Sequence, residues 1–314
     1  MARYLVTGGA GFIGSNLVRA LLARGEQVRV LDDFATGRRV NIAEVTDRVD
    51  VVEGSICDAD AVRRAMSGVD YCLHLAAIPS VPRSVADPLR SNRVNVEGTL
   101  QVFLAARDAE VKRVVYASSS SVYGNAPPGP LAEGLPRAPV SPYGVSKAAA
   151  EMYAETFSRL YGVDLVGLRY FNVFGPRQDP NSPYAAVIPI FIRALRGGRR
   201  PPVHGDGGQS RDFTFVDNVV EANLLACACP GRIAGVYNVA CGDSTPVLGL
   251  ADMLNAILGT RIEPEYLPAR PGDIRDSRAD ISRARQAFGY VPRVSLREGL
   301  ERTAVWYERT EDGS

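Results

Sequence analysis

Lysine is almost missing from this chain: of 36 cationic residues only Lys112 and Lys147 are lysines, and the other 34 are arginines. Each lysine is therefore informative. Histidine is as rare, with His74 inside the apolar run 71–75 and His204 in a Pro/Gly loop. Both read as structural. No cluster of His, Cys, Asp or Glu has metal-ligand spacing, which argues against metal catalysis. Charge of one sign is also lacking: 36 cations face 35 anions, net +1, so composition makes no electrostatic case for nucleic acid or a membrane surface. No apolar run approaches the ~20 residues of a membrane span, and the first residues enter a strand at once without a leader-like stretch. A cytoplasmic location is the expectation. The five cysteines (Cys57, Cys72, Cys227, Cys229 and Cys241) are odd in number and form no disulfide framework. They read as reduced core thiols. Cys227 and Cys229 lack nearby histidines, so zinc is not expected there.

With 314 residues, 46% of them hydrophobic, the chain can build a sizeable core, and wholesale disorder is excluded. Short apolar runs at 4–7, 27–32, 50–53, 71–75, 113–117 and 165–169 alternate with helical patterns near 11–24, 58–66, 92–109 and 145–161. This alternation predicts an α/β fold with a Rossmann-type, doubly wound parallel sheet. Beyond Phe174, Pro and Gly thicken, which predicts a smaller substrate lobe over the carboxyl ends of the strands. The expected division is a nucleotide-binding domain over 1–173 and a lobe made mainly of 174–314. The chain returns to the first domain at about 214–240, with a helix near 217–228 and a strand at 236–240.

Thr7-Gly8-Gly9-Ala10-Gly11-Phe12-Ile13-Gly14 joins the first strand to the first helix and satisfies both G-x-x-G-x-x-G and G-x-G-x-x-G. Glycines let backbone approach a pyrophosphate, and the helix start offers free N–H groups and a positive dipole end. Asp32 closes the second strand, where an acid bonds ribose hydroxyls and repels a 2′-phosphate. NAD is favoured over NADP, although Arg38 and Arg39 stand close enough to keep NADP open. A tight turn that merely packs helix on strand would also use glycines, but strand, helix and acid all fall in register.

Tyr143 and Lys147 lie four residues apart on one face of a starting helix. An ammonium beside a phenol favours the phenolate, which predicts a Tyr143 base with its pKa brought toward neutrality. Ser118, Ser119, Ser120 and Ser121 directly follow the run 113–117, at the ligand-facing end of a parallel strand, where a hydroxyl can bond the substrate oxygen.

These residues resemble the extended short-chain dehydrogenases/reductases, in particular the UDP-hexose (UDP-glucose / UDP-N-acetylglucosamine) 4-epimerase branch. The likeness covers nearly the whole chain. It runs through Thr7–Gly14, Asp32-Asp33-Phe34 with Thr36-Gly37, Leu75-Ala76-Ala77, Asn95–Thr99 and Ser119–Gly124. It continues through Tyr143–Lys147, Leu168–Gly175, Gly205–Phe213, Tyr237-Asn238 and Arg270–Asp273. The resemblance implies Tyr143 as acid/base, Lys147 as the group that orients the nicotinamide ribose, and Ser119 as helper hydroxyl. It implies NAD contacts from Gly8, Gly11, Phe12, Ile13, Gly14, Asp32, Asp33, Phe34, Gly37, Leu75, Ala76, Ala77, Ser118, Tyr143, Lys147 and Tyr170. Asp58 is implied at the adenine, and Asn95 as a structural and cofactor-side residue. On the substrate side it implies Arg83, Ser119, Ser120, Ser121, Asn172, Gln178, Ala186, Val187 and Ser277, with Arg211 and Arg270 at the diphosphate and Asp273 at the ribose. The implied reaction is redox-neutral: Tyr143 takes the proton of the sugar's 4-hydroxyl, resident NAD takes and returns the hydride, and a transient 4-keto sugar turns over between.

Related 4,6-dehydratases carry Asp-Glu after the helper hydroxyl and decarboxylating relatives carry Glu; Ser120 and Ser121 stand there, which argues against both reactions. Ser277 and Ala186 stand where family members place bulkier groups, and the family pattern links that room to 2-acetamido sugars. With Gln178 as an amide partner, UDP-GlcNAc/UDP-GalNAc is the expected pair, with UDP-Glc/UDP-Gal also accepted. Pro79 would narrow the pocket. The alternatives are a 4-epimerase of a UDP-uronic acid or another nucleotide sugar, for which Arg177 or Arg193 could bind the carboxylate, and a nucleotide-sugar 4-keto reductase. More remote is a non-catalytic NAD-binding regulator, from which the Tyr/Lys pair would usually be missing. The family also implies a homodimer through the helices near 92–109 and 145–161, with Ala148-Ala149-Ala150 and Met152 as an apolar face.

Overall fold

The computed structural model describes residues 1–127, 129–179, 186–269 and 275–311. Seven strands form one parallel sheet: β1 (Arg3–Thr7), β2 (Gln27–Asp32), β3 (Asp50–Glu53), β4 (Tyr71–His74), β5 (Arg113–Ser119), β6 (Leu165–Tyr170) and β7 (Gly235–Val239). Their order is 7-6-5-4-1-2-3, so the winding direction reverses between β1 and β4 and opens a crevice at the carboxyl ends. Helices cover both faces, which is why β6 is buried at all six positions and shows no polar alternation.

The helices up to residue 228 are α1 (Phe12–Ala23), α2 (Ala59–Met66), the short α3 (Val81–Ala86) and α4 (Pro88–Asn92), α5 (Thr99–Asp108), α6 (Pro142–Tyr161), α7 (Val187–Arg196) and α8 (Val216–Ala228), of which α1, α2, α5, α6 and α8 pack on the sheet. Leu17, Leu21, Val219 and Leu224 of α1 and α8 join one core cluster. Val62, Phe103 and Phe157 of α2, α5 and α6 join the other, across the sheet.

Two helices depart from the periodicity. The expected helix near 92–109 is present and continuous to Asp108, but a π-helical turn, Arg93–Gly98, lies between α4 and α5. Asn95 explains the turn, because its side chain accepts from Ile78 N (2.7 Å) and donates to Ile78 O (3.1 Å) and Ser146 Oγ (3.1 Å), holding the helix off its regular path. Helix α6 begins at Pro142 rather than 145. Ser141 caps it through Gly144 N at 3.1 Å, and proline suits the first turn, so Tyr143 already lies inside the helix.

A second sheet of four short strands, Pro130–Leu131, Asp276–Ala279, Ser210–Arg211 and Thr245–Pro246, lies beside the first. Pro130–Leu131 comes from well before residue 174, so part of the 1–173 stretch pairs into this smaller sheet. Asp212 fastens the sheet: its buried carboxylate accepts from Cys241 N (2.8 Å), Gly242 N (2.9 Å) and Ala279 N (3.2 Å). All five cysteines are free thiols. Among the described residues, no helix is long and apolar enough to cross a membrane.

Candidate active site

A cavity of about 900 Å³ opens where the strand order reverses. Its floor is the turn between β1 and α1. Gly8 sits at φ +69°, and a Cβ there would lie 2.7 Å from Ala76 N; a Cβ on Gly14 would overlap Gly8 O. Helix α1 has no side-chain cap, so its first amides stay open to an anion. Asp32 accepts from Ala10 N and Phe34 N, both at 2.8 Å, which fixes its carboxylate at the cavity edge. Burial raises its pKa, and the two backbone amides pull it back down. Uncapped amides, a glycine floor that side chains would fill and a fixed carboxylate one strand away fit a dinucleotide.

The cavity wall holds Gly8, Gly11, Phe12, Ile13, Gly14, Asp33, Gly37, Leu75, Ala76, Ala77, Ser118 and Tyr170, as well as Asp32, Tyr143 and Lys147. Asp58 is also on the wall, and it caps α2 by accepting from Asp60 N (2.9 Å) and Ala61 N (3.2 Å). Two expected members are elsewhere. Phe34, at φ +55°, lies under the Arg39 guanidinium at 3.9 Å and is not among the residues on the wall. Asn95 stands behind the wall with its amide given to Ile78 and Ser146. Arg38 lines the cavity 3.7 Å from Asp179, while Arg39 pairs with Glu53.

Tyr143 and Lys147 meet β5 at the middle of the cavity. The Tyr143 amide donates to Ser84 Oγ at 3.0 Å, and Gly144 passes so close to Ser121 O that a Cβ would lie 2.7 Å away. Lys147 Nζ donates to Ala117 O at 2.8 Å and stands 5.8 Å from the Tyr143 ring centroid. Burial pulls Lys147 down to about 8, while Glu151 acts to raise it. Burial pushes the Tyr143 phenol up, and the nearby Ser119 hydroxyl opposes this. The expected descent of Tyr143 toward neutrality is therefore not met by the protein groups alone. Desolvation dominates at both side chains, and the ammonium is engaged by a carbonyl.

Behind the pair lies a charged cluster that sequence reasoning missed. Glu151, fully buried, accepts from Ser118 Oγ (2.5 Å), Arg169 Nε (2.8 Å), Arg169 Nη2 (2.7 Å) and Arg137 Nε (2.7 Å). Its signal was an acid one turn after Lys147 on the inward face of α6. His74 is buried between Thr7 Oγ1 (2.7 Å) and Thr99 Oγ1 (3.0 Å), and burial pushes it down to about 3, the structural role expected of it.

On the substrate side, Arg83, Ser119, Ser120, Ser121, Asn172, Gln178 and Ala186 line the same cavity. A neighbouring cavity of about 260 Å³ shares Asn172 and Ala186 and adds Val187, His204 and Arg211. Ser277 is buried on Asp276–Ala279, paired with Arg211, and belongs to neither wall. Its backbone fills a place in the small sheet. Arg270 and Asp273 lie outside the described residues. Arg177 is on the cavity wall but donates to Asn16 Oδ1 on α1 at 2.8 Å, on the side of the glycine turn. Arg193 is exposed on α7 and lines neither cavity.

Comparison with known proteins agrees with this geometry. A profile of the NAD dependent epimerase/dehydratase family matches residues 4–240. A UDP-glucose 4-epimerase of Mycolicibacterium smegmatis is 43% identical over 309 residues, 97% of this chain and 98% of that one. Among solved structures, a UDP-N-acetylglucosamine 4-epimerase from Methanobrevibacter ruminantium, in complex with UDP-N-acetylmuramic acid, is 41% identical with a TM-score of 0.94. The alignment covers 98% of this chain and 99% of that one. A Thermotoga maritima UDP-glucose 4-epimerase with UDP-glucose is 39% identical with a TM-score of 0.93, at the same coverage.

Proposed function

The chain belongs to the NAD dependent epimerase/dehydratase family and is a nucleotide-sugar epimerase that uses NAD, and we propose that its preferred pair is UDP-GlcNAc/UDP-GalNAc, with UDP-Glc/UDP-Gal also accepted. In this reading NAD lies on residues 1–173 with the return at 214–240, and the sugar nucleotide lies between that part and residues 174–314. NAD, when bound, supplies the hydride acceptor and a positive ring charge that favours the phenolate. Tyr143 takes and returns the 4-hydroxyl proton, Ser119 bonds the same oxygen, and Lys147 holds the positive charge beneath them. The serines at 120 and 121 offer no acid that would drive water elimination or decarboxylation. Arg211, on the wall of the smaller cavity, serves the diphosphate.

The observation that carries the acetamido preference is the wall beside Ala186. Gln178 lines the larger cavity and donates its Nε2 to Val173 O at 3.2 Å, while its Oε1 is buried without a partner among the described residues; a turn of this amide into the cavity would present an acceptor to an acetamido N–H. Ala186 keeps the junction of the two cavities open. The uronic-acid reading receives less support, because Arg177 is turned to Asn16 and Arg193 lies off both walls.

A homodimer through α6 is part of this proposal. Ala148 and Ala150 are buried and do not contribute to an outer face, but Val145, Met152 and Leu160 are 53%, 52% and 69% exposed. Light scattering at micromolar concentration should give twice the chain mass.

The test of the activity is epimerisation of UDP-GlcNAc and UDP-Glc without added cofactor, beside Tyr143→Phe. Conversion to the galacto epimers, lost roughly 10²–10⁴-fold in the variant, is the expected result. Failure of NAD-loaded protein to turn over either sugar would discard the substrate assignment.

A further inference from the structure

Three residues four apart, Tyr143, Lys147 and Glu151, point from α6 toward the sheet, and only the first two enter the reaction proposed above. The third is the most completely coordinated carboxylate at the site. Its four bonds fill the acceptor positions of a carboxylate, each assisted by charge. Lys147 and Glu151 grip consecutive residues of β5: Lys147 holds Ala117 O at 2.8 Å and Glu151 holds Ser118 Oγ at 2.5 Å. The next residue, Ser119, is the one whose hydroxyl opposes the effect of burial on the Tyr143 phenol.

Adhesion between helix and sheet does not require this arrangement. A buried ion pair is poor cement, and apolar side chains of similar volume commonly hold two elements as well or better. What apolar packing cannot provide is a fixed negative charge one helical turn from a desolvated ammonium. We propose that Glu151 is a positioning residue for the reaction: its carboxylate fixes the Ala117–Ser119 end of β5 against α6 and supplies the negative field that Lys147 faces.

The other groups around Lys147 are few. On its own helix, Tyr143 is neutral and Glu155 binds Arg137 at the outer end of the cluster. On β4, His74 is neutral through burial. On β5, Tyr116 is a buried neutral phenol. On β6, Arg169 is turned to Glu151 and stacks 4.6 Å from the Tyr123 ring. Burial is the largest single influence and works against the Glu151 charge, but Arg169, Ser118 and Arg137 together outweigh it and the carboxyl stays below its ordinary value. Burial is the main force that removes charge from Lys147, and Glu151 is what opposes it.

The inference rests on the reading of Tyr143 and Lys147 given above, and the scarcity of lysine makes it directly testable. NAD-loaded enzyme carrying isotope-labelled lysine should show two side-chain signals, with exposed Lys112 as internal reference. Glu151→Gln should move the Lys147 titration down by about one pH unit. The alkaline limb of kcat for UDP-glucose should move with it, so that acidification restores rate, while KM changes little. Ser118→Ala should lower kcat severalfold without moving the titration. Should Glu151→Gln not fold, Arg137→Gln, whose side chain is one-quarter exposed, should move Lys147 the other way by about half a unit as the Glu151 field strengthens. A Lys147 titration unmoved in a folded variant overturns the inference. Tyr143→Phe separates the two readings: if it abolishes turnover while Lys147 ignores Glu151, the site assignment stands and this inference alone fails.

Discussion

The backbone amide of Tyr143 donates to the hydroxyl of Ser84 at 3.0 Å, and that hydroxyl in turn donates to Val81 O at 2.7 Å. The proposed acid/base is thus anchored to a short helix, α3, that enters through Ser80 at φ +95° and lines the cavity. Ser84→Ala leaves a buried first-turn amide without its partner, a loss of about 1–2 kcal/mol. The variant should lose several degrees of thermal stability. Its kcat should fall more than its KM changes, since the displaced group belongs to the reaction rather than to the nucleotide handle.

Gly14→Ala tests the cofactor floor. The new methyl would overlap Gly8 O, and backbone cannot yield as a side-chain tip does. Overpacking of this kind costs about 1–3 kcal/mol. The purified variant should carry little NAD, read as lost 260 nm absorbance after denaturation. Retention of a full complement would show that the turn tolerates a Cβ and that the pyrophosphate lies elsewhere.

Ala186→Asn tests the sugar pocket. The larger side chain occupies the junction of the two cavities, so UDP-GlcNAc turnover should fall about tenfold relative to UDP-Glc. An unchanged ratio would detach the acetamido preference from this position.

Acid stability should reflect two buried groups of opposite sign. Asp212 is raised to about 6 by burial, with the Cys241, Ala279 and Gly242 amides opposing. The folded form therefore takes up its proton before the unfolded form does, and stability rises as pH falls from about 6 to 4, by roughly 2–3 kcal/mol. His74 is lowered to about 3 by burial, so the unfolded form protonates first and stability falls from about pH 6.5 downward. The two slopes oppose each other between pH 6 and 4. Asp212→Asn removes one, and its melting temperature should drop more steeply than the parent's on acidification through that window.

Much of this molecule was legible because its signals are local. The inner strands β4, β5 and β6 announce themselves as largely apolar runs because helices cover both faces, while β2 and the edge strand β3 carry polar residues such as Arg29, Asp50 and Glu53. The glycine turn, Asp32 and the Tyr143/Lys147 pair depend on spacings within one or two elements. What escaped depends on partners brought together by folding. Glu151 gathers Ser118, Arg169 and Arg137 from 33, 18 and 14 residues away, and no helical spacing announces such a set. Phe34 sits in the NAD-contact pattern, but its positive φ and its place under Arg39 are not visible in the spacing. The strand Pro130–Leu131, only two residues long, carries no periodicity to detect.

That short strand governs how the molecule can come apart. Pro130–Leu131 precedes β6 and β7 in the chain, yet it closes the sheet whose other strands begin at Ser210, Thr245 and Asp276. Each sheet therefore threads through the sequence of the other. A protease cutting once anywhere between residues 132 and 234 separates strands of both, so neither fragment inherits an intact unit. Melting should accordingly proceed as one transition, and a gene split at any such point should yield halves that regain their shape only together.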